Sequence, residues 1–326
     1  MRARTELARR AAEMEAARAP FVWATVVRVE PPTSVKPGAM ALVHADGQIE
    51  GFVGGACAET TVRVQALEAL AQGGTRLVRI TPEGAPPVEG RTAEVTVVNP
   101  CLSGGTLEIL LEPEVPPPLV VVFGEGPIAR ALERAGEALD HEVRLTADPG
   151  EPLPADAAAV VVASHGRHEA EVLLAAVRAG VPYVGLVASR RRAAAVLDGL
   201  PLENGERARV RSPAGLDIGA RAPGEVALSI LAEVVSLRPR PSGAVSRGPG
   251  PEPAPGAESR GPEPAPGAES RSAGPAGLST AVDPVCGMSV ATVEASLHAE
   301  VGGRTVWFCG TGCRDAYLDD PGRYGP

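Results

Sequence analysis

Cysteine and glycine carry most of the chemistry this sequence can offer. Cys57 stands in Gly51-Phe-Val-Gly-Gly-Ala-Cys-Ala-Glu59, and Cys101 in Asn99-Pro-Cys-Leu-Ser-Gly-Gly105. Cys286, Cys309 and Cys313 fall in Asp283-Pro-Val-Cys-Gly-Met288 and Trp307-Phe-Cys-Gly-Thr-Gly-Cys313. Thiolates are nucleophiles and soft-metal ligands. A fourth loop, Gly124-Glu-Gly-Pro-Ile-Ala129, is a G-x-G-x-x-A turn, in which glycines let a phosphate approach helix-terminal amides.

The elements that must hold these residues follow from the local pattern. Ala41–His44 and Gln48–Val53 read as strands around the turn signal Asp46-Gly47. Ala58–Gln72 reads as a helix, so Gly54 and Gly55 form a strand-to-helix turn and Cys57 lies at a helix N-terminus. Amides and dipole there favour the thiolate and predict a depressed pKa; a buried structural cysteine is the bland alternative. Thr5–Ala19 reads as an amphipathic helix, and Phe21–Glu30, Arg76–Thr81, Glu94–Val98 and Thr106–Glu112 as strands. The loop Pro31–Gly38 offers Ser34 and Lys36 to an anion, or is a solvated turn. Four prolines in Pro113–Pro118 mark a domain boundary.

Beyond it, Leu119–Phe123 is a wholly apolar strand suited to a parallel sheet. Strands at Glu142–Thr146, Ala158–Ala163, Tyr183–Val187 and Arg209–Val210 alternate with helices at His168–Ala179, Ser189–Leu200 and Pro223–Leu237. That alternation predicts a Rossmann-type domain, with Pro127 in the first turn of the helix after the glycines. Asp148, after the second strand, is placed to bind a ribose or simply to cap a strand end. His165, past the third strand, is an acid/base, a donor or a structural histidine; Ser189 and Arg190 open a helix as an anion site or a solvated face. These residues also support a nicotinamide-dependent oxidoreductase as the alternative function.

Residues 238–280 hold a tandem repeat, GPEPAPGAESR, and read as a disordered Pro/Gly/Ala/Glu linker that tethers the C-terminal module. The module, residues 281–326, is small enough to need a staple. Cys286, Cys309 and Cys313 are its candidate Zn or Cu ligands, with His298, Met288, water or a partner group as the fourth. A metal-trafficking adaptor built on this module alone is a third function class.

Composition narrows the classes. A net charge of −9 argues against general nucleic-acid binding. No apolar run approaches the roughly 18–20 residues of a membrane span, and the polar N-terminus without a signal core reads as cytoplasmic. Hydrophobic residues at 44% support real cores, although aromatics are only 3%, so Ala, Val and Leu must do the packing.

The first two domains, residues 1–114 and 119–237, resemble the xanthine dehydrogenase accessory factor (XdhC/CoxI) family. The resemblance rests on Gly51–Glu59, Cys101–Pro113, Gly124–Ala129, VGLVASRR at 184–191 and GLDIGARAPGEVALSILAEVV at 215–235. The loop phrases GFVGGACAE and NPCLSGGTLEILLEP are similar to the branch associated with carbon monoxide dehydrogenase. The C-terminal module is similar to YHS domains through DPVCGM, WFCGTGC and DPGRY. The resemblance implies a non-catalytic chaperone that binds molybdenum cofactor, supports its sulfuration and delivers it to a molybdenum hydroxylase apo-enzyme. A sulfur-donating cysteine desulfurase and a homodimer are the further partners it suggests. Cys57 matches the family's glycine-flanked cysteine; at the second loop many relatives carry cysteine where Ser103 stands. Gly54, Gly55, Cys57 and Cys101, with Gly124, Gly126, Asp148, His165, Ser189 and Arg190, are the expected cofactor-binding residues. The expected mechanism clamps the cargo between the two domains.

Overall fold

The computed structural model describes residues 2–82, 94–99, 105–238 and 279–324. The repeat-bearing linker and Cys101 lie outside the described residues. The chain forms two compact units, 1–116 together with 240–326, and 117–239.

In the first unit, α1 (Arg2–Ala16) is followed by β1 (Phe21–Glu30), β2 (Met40–His44), β3 (Ile49–Gly51), α2 (Ala56–Gln72), β4 (Arg76–Thr81), β5 (Glu94–Val98) and β6 (Thr106–Glu114). The strands form one mixed sheet in the order β3-β2-β1-β6-β4-β5. Alternation along β1 sorts its side chains to two faces. Val22, Ala24 and Val26 pack with Val62 and Ala66 of α2, whereas Phe21 joins Leu7, Ala11 and Met14 of α1. β6 runs past Pro113, which pairs with Val22. Pairing to β4 ends at Leu111, so Pro113 interrupts no ladder on that side.

The helix α2 starts two residues before its sequence pattern suggests, because Gly55 is an extended N-cap at φ −71°. Cys57 therefore sits inside the first turn. This helix is buried on two sides. Val62 and Ala66 face the sheet, while Val64 and Leu67 pack against Ala291 and Val293 of the C-terminal module.

The second unit contains β7 (Leu119–Phe123), α3 (Pro127–Glu137), β8 (Glu142–Thr146), β9 (Ala157–Val162), α4 (Glu169–Arg178), β10 (Tyr183–Leu186), α5 (Arg190–Asp198), the short α6 (Asn204–Arg207), β11 (Val210–Arg211) and α7 (Pro223–Ser236). Its sheet is parallel throughout, in the order β11-β10-β9-β7-β8. Leu119, Val121 and Phe123 pack with α4, and Val120 and Val122 with α3 and α7. Helices thus cover both faces, as the apolar β7 requires, in the Rossmann-like arrangement expected. The strand order reverses at β7, between β8 and β9, where such sheets open a ligand crevice.

The C-terminal module adds two hairpins, β12 (Thr280–Val282) with β13 (Ser289–Ala291) and β14 (His298–Val301) with β15 (Arg304–Trp307). Helix α8 (Thr311–Asp319) and a 3₁₀ turn, Pro321–Tyr324, complete it. Phe308 is its main apolar plug, with the Tyr317 ring centroid 5.5 Å away. Among the described residues, no helix is long and apolar enough to cross a membrane.

Candidate functional site

The glycine turn after β3 opens onto a cavity of about 480 Å³. Gly54, Gly55, Ala56 and Cys57 form one wall; Thr33, Ser34, Thr81, Asn99, Gly105 and Leu107 are among the residues opposite. Gly54 is required there. Its φ is +148°, and a Cβ would stand 2.7 Å from the Ala58 methyl. Gly105 is equally confined, since a Cβ would meet the Pro32 carbonyl oxygen at 2.1 Å. Ser34 borders the cavity, whereas Lys36 is exposed and does not line it. Buried Asn99 and Thr81 are polar groups that the sequence pattern did not single out.

Cys57 also belongs to a second grouping. It packs against the buried cluster of Met288, Val290 and Cys309, which Cys286, Cys313 and Trp307 also border. Cys286 Sγ lies 3.4 Å from Cys309 Sγ, and Cys309 Sγ lies 3.6 Å from Cys313 Sγ. None of these four cysteines is in a disulfide. Asp283, with no solvent exposure, has a carboxylate oxygen within 4.8 Å of all three C-terminal sulfurs. It accepts the amide N–H of Cys309 at 2.7 Å and of Val285 at 2.8 Å. Burial pushes its carboxyl upward, but those amides and the thiols of Cys309 and Cys313 outweigh burial and hold its pKa below the ordinary value. The hydrogen bond with Cys57, and then burial, pushes the Cys309 thiol far up. Burial pushes Cys313 up to about 12, with Asp283 and Cys286 adding to it. His298 is used locally: its Nδ1 is 2.9 Å from the Ser296 carbonyl oxygen, and its ring lies on Trp307. Asp283 was not singled out by the sequence pattern, although Asp283-Pro284 is a turn signal that could have marked it. Nothing in local sequence links Cys57 to Cys309.

In the second unit, Gly124 is at φ +132°, and a Cβ there would stand 2.6 Å from the Ala163 carbonyl oxygen. Gly126 caps α3 at φ −70° with Pro127 in its first turn. Gly124, Gly126, Ser164, His165 and His168 line a cavity of about 500 Å³ at the strand reversal. His165 also borders a neighbouring cavity of about 660 Å³, which Ser189, Arg190 and Gly215 share. The loop carrying His165 is braced by buried Glu169, which accepts the Gly166 amide at 2.8 Å and pairs with Arg192. Ser189 caps α5 by accepting the Arg192 amide at 3.4 Å. Asp148 lies apart, on a small separate cavity, with its Oδ1 accepting the Gly150 amide at 2.9 Å. Glu233 accepts both the Tyr183 hydroxyl at 2.7 Å and the Gly215 amide at 2.8 Å. Burial, then that carboxylate, drives the Tyr183 pKa well upward.

Residues 14–81 match the model of the XdhC and CoxI family, and residues 120–234 match that of the XdhC Rossmann domain. The chain belongs to the XdhC and CoxI family.

Both glycine turns of this XdhC-family chain fall within the matched stretches. A relative in Escherichia coli K12, the uncharacterized protein YqeB, is 27% identical over 269 residues, covering 73% of this chain and 47% of YqeB. A Bacillus subtilis 168 protein, described as a probable subunit of xanthine dehydrogenase, is 34% identical over 83 residues, 26% of this chain and 24% of that protein. The XdhC-family chain therefore spans less than half the length of either relative. A crystal structure of a xanthine dehydrogenase from Bacillus halodurans aligns at 19% identity and a TM-score of 0.34, over 72% of this chain and 97% of that one.

Proposed function

We propose that this chain is an accessory factor that holds molybdenum cofactor and delivers it, with support of its sulfuration, to a molybdenum hydroxylase such as xanthine or carbon monoxide dehydrogenase. The observation that carries this reading is Cys57, at the N-terminus of α2, lining a cavity built on a glycine turn. The residues fit the cargo. Thiolate is a soft donor suited to molybdenum or a transferred sulfur. Helix-terminal amides at Gly55 and Ala56 suit an anionic phosphate, and Asn99 and Thr81 offer polar contacts to a pterin edge. At about 480 Å³ the cavity is in the usual range for small-molecule sites. The family and the name of the Bacillus subtilis relative support a molybdenum hydroxylase client.

The chain purified from a cofactor-making host should carry molybdopterin, measured as its fluorescent oxidised derivative. Cys57→Ser should lose most of it. Wild-type protein that never takes up the pterin, from cells or from a donor, would end this reading.

The cavity at Gly124 and Gly126 favours a second reading, an oxidoreductase that binds NAD(P). Asp148 does not line that cavity: it borders a separate, smaller one, with Oδ1 accepting the Gly150 amide. Titration with NADH, followed by fluorescence quenching and hydride transfer, separates the two readings.

A further inference from the structure

The geometry points to a four-thiol metal site in which Cys57 of α2 completes the set begun by Cys286, Cys309 and Cys313, so that a zinc-type cation clasps the C-terminal module onto α2.

The sulfur spacings are those of shared ligation. A tetrahedral ion with Zn–S bonds of about 2.3 Å holds its sulfurs about 3.8 Å apart, whereas a disulfide closes to about 2.05 Å. The observed 3.4 and 3.6 Å separations lie near the first value and far from the second. Three thiols leave one position of a structural site unfilled. Met288 lies in the same cluster, but a neutral thioether is not among the usual donors to zinc, which leaves Asp283 and Cys57.

Asp283 is occupied otherwise. Its Oδ1 accepts from Val285 and Cys286, and its Oδ2 from Cys309. It therefore ties together the two loops that carry thiols, the work of an outer partner that orients ligands. Cys57 is hydrogen-bonded to Cys309 and packs against the same buried cluster of Met288, Val290 and Cys309 that Cys286 and Cys313 border.

The approach of α2 to these loops is built in. Thr60 Oγ1 donates to the Cys309 carbonyl oxygen at 2.8 Å in a buried position. A Cβ on Gly310 would reach van der Waals contact with the Ala56 methyl, at 3.4 Å, so this loop lies close to the helix start. Apolar contacts of Val64 and Leu67 with Ala291 fix the same face one to two turns further on. A module of this size gains from a staple that joins its two loops to a larger neighbour. Because Cys57 also lines the cavity, ligation there places a metal-bound sulfur at its wall.

This inference claims the same sulfur as the molybdenum-cofactor reading, since a Cys57 thiolate held in a closed four-thiol site is not free to ligate cargo; its probe is the metal alone, so its failure leaves the pterin measurement untouched. Full-length chain, reduced, stripped and reloaded, should bind one Zn²⁺ or Co²⁺. The Co²⁺ form should show sulfur-to-metal charge-transfer intensity for four thiolates. Cys57→Ser should lose about a quarter of that intensity, and Cys57→His should regain tight zinc binding with a mixed sulfur–nitrogen spectrum. Asp283→Asn should keep the four-thiolate spectrum while weakening zinc roughly 10–100-fold. Circular dichroism confirms that each variant is folded; if Cys57→Ser is not, the Cys57→His spectrum decides alone. Wild-type chain that retains no zinc would overturn the proposal. So would a three-thiolate spectrum that Cys57→His leaves unchanged and Asp283→Asn alters.

Discussion

Gly55 and Gly126 cap their helices with almost the same backbone, φ −71°, ψ 176° and φ −70°, ψ 178°, and neither has a side-chain cap bond. Each follows a strand and a glycine at positive φ, Gly54 at +148° and Gly124 at +132°. Both turns thus present the amides of a helix N-terminus, a setting suited to an anion. What stands over them differs. Over α2 come sulfurs from the far end of the chain, locked by Thr60 and by apolar contacts. Over α3 comes an imidazole, His165, from the next strand but one, held by Glu169. Equal backbones acquire different chemistry because chemistry is supplied by whatever packs across from them.

The largest expected effect tests the positive-φ glycines. Gly124→Ala forces a Cβ against a backbone carbonyl that cannot yield, and should cost about 3 kcal/mol or more in urea unfolding of the second unit. Gly54→Ala meets the Ala58 methyl at 2.7 Å and should cost less. Equal costs would mean that the two turns are held alike, contrary to the contacts described.

A smaller effect tests the polar latch at the second site. Tyr183→Phe leaves Glu233 with one donor fewer and should cost about 2 kcal/mol at neutral pH. The folded pKa of Tyr183 lies above its unfolded value near 10. Its contribution is therefore complete below pH 10 and is lost as pH rises through the folded value. The gap between wild type and Tyr183→Phe should narrow above pH 10 in thermal melts. Absorbance titration should show one tyrosine ionising late. A gap that stays constant to the alkaline limit would remove Tyr183 from the latch.

The smallest effects compare the caps themselves. Around Gly55 nothing lies within 4 Å of an added Cβ, so Gly55→Ser should be neutral or a few tenths of a kcal/mol better. At Gly126 the added Cβ comes 3.2 Å from His165 Nε2. Because His165 is exposed, its ring swings aside. Gly126→Ser should then cost at most about 1 kcal/mol and shift the His165 ring resonances in NMR. Unmoved resonances would mean that the imidazole does not overlie the turn.

The sequence by itself determined the local elements, because their causes are local. Five consecutive apolar residues, Leu119–Phe123, dictate a strand covered on both faces, and Gly126-Pro127 dictates a helix start. Val62, Val64, Ala66 and Leu67 recur near helical spacing and spell a helix, while their division between two apolar faces came from the packing. Family-bearing phrases were legible for the same reason: Gly54 and Gly124 are spelled by single-residue φ requirements, and Gly215 by the close approach of Ser229.

Only the tertiary structure decided which of these local parts share a site. It placed His165 with Gly126, and Ser189 and Arg190 in the cavity next to them, yet set Asp148 apart on its Asx turn. It put Cys57 against Cys309, 252 positions away, through a Thr60 hydrogen bond and a patch of Val, Leu and Ala contacts. Such meetings arise from packing between distant segments, where many weak apolar contacts add up. No spacing rule within one loop contains them.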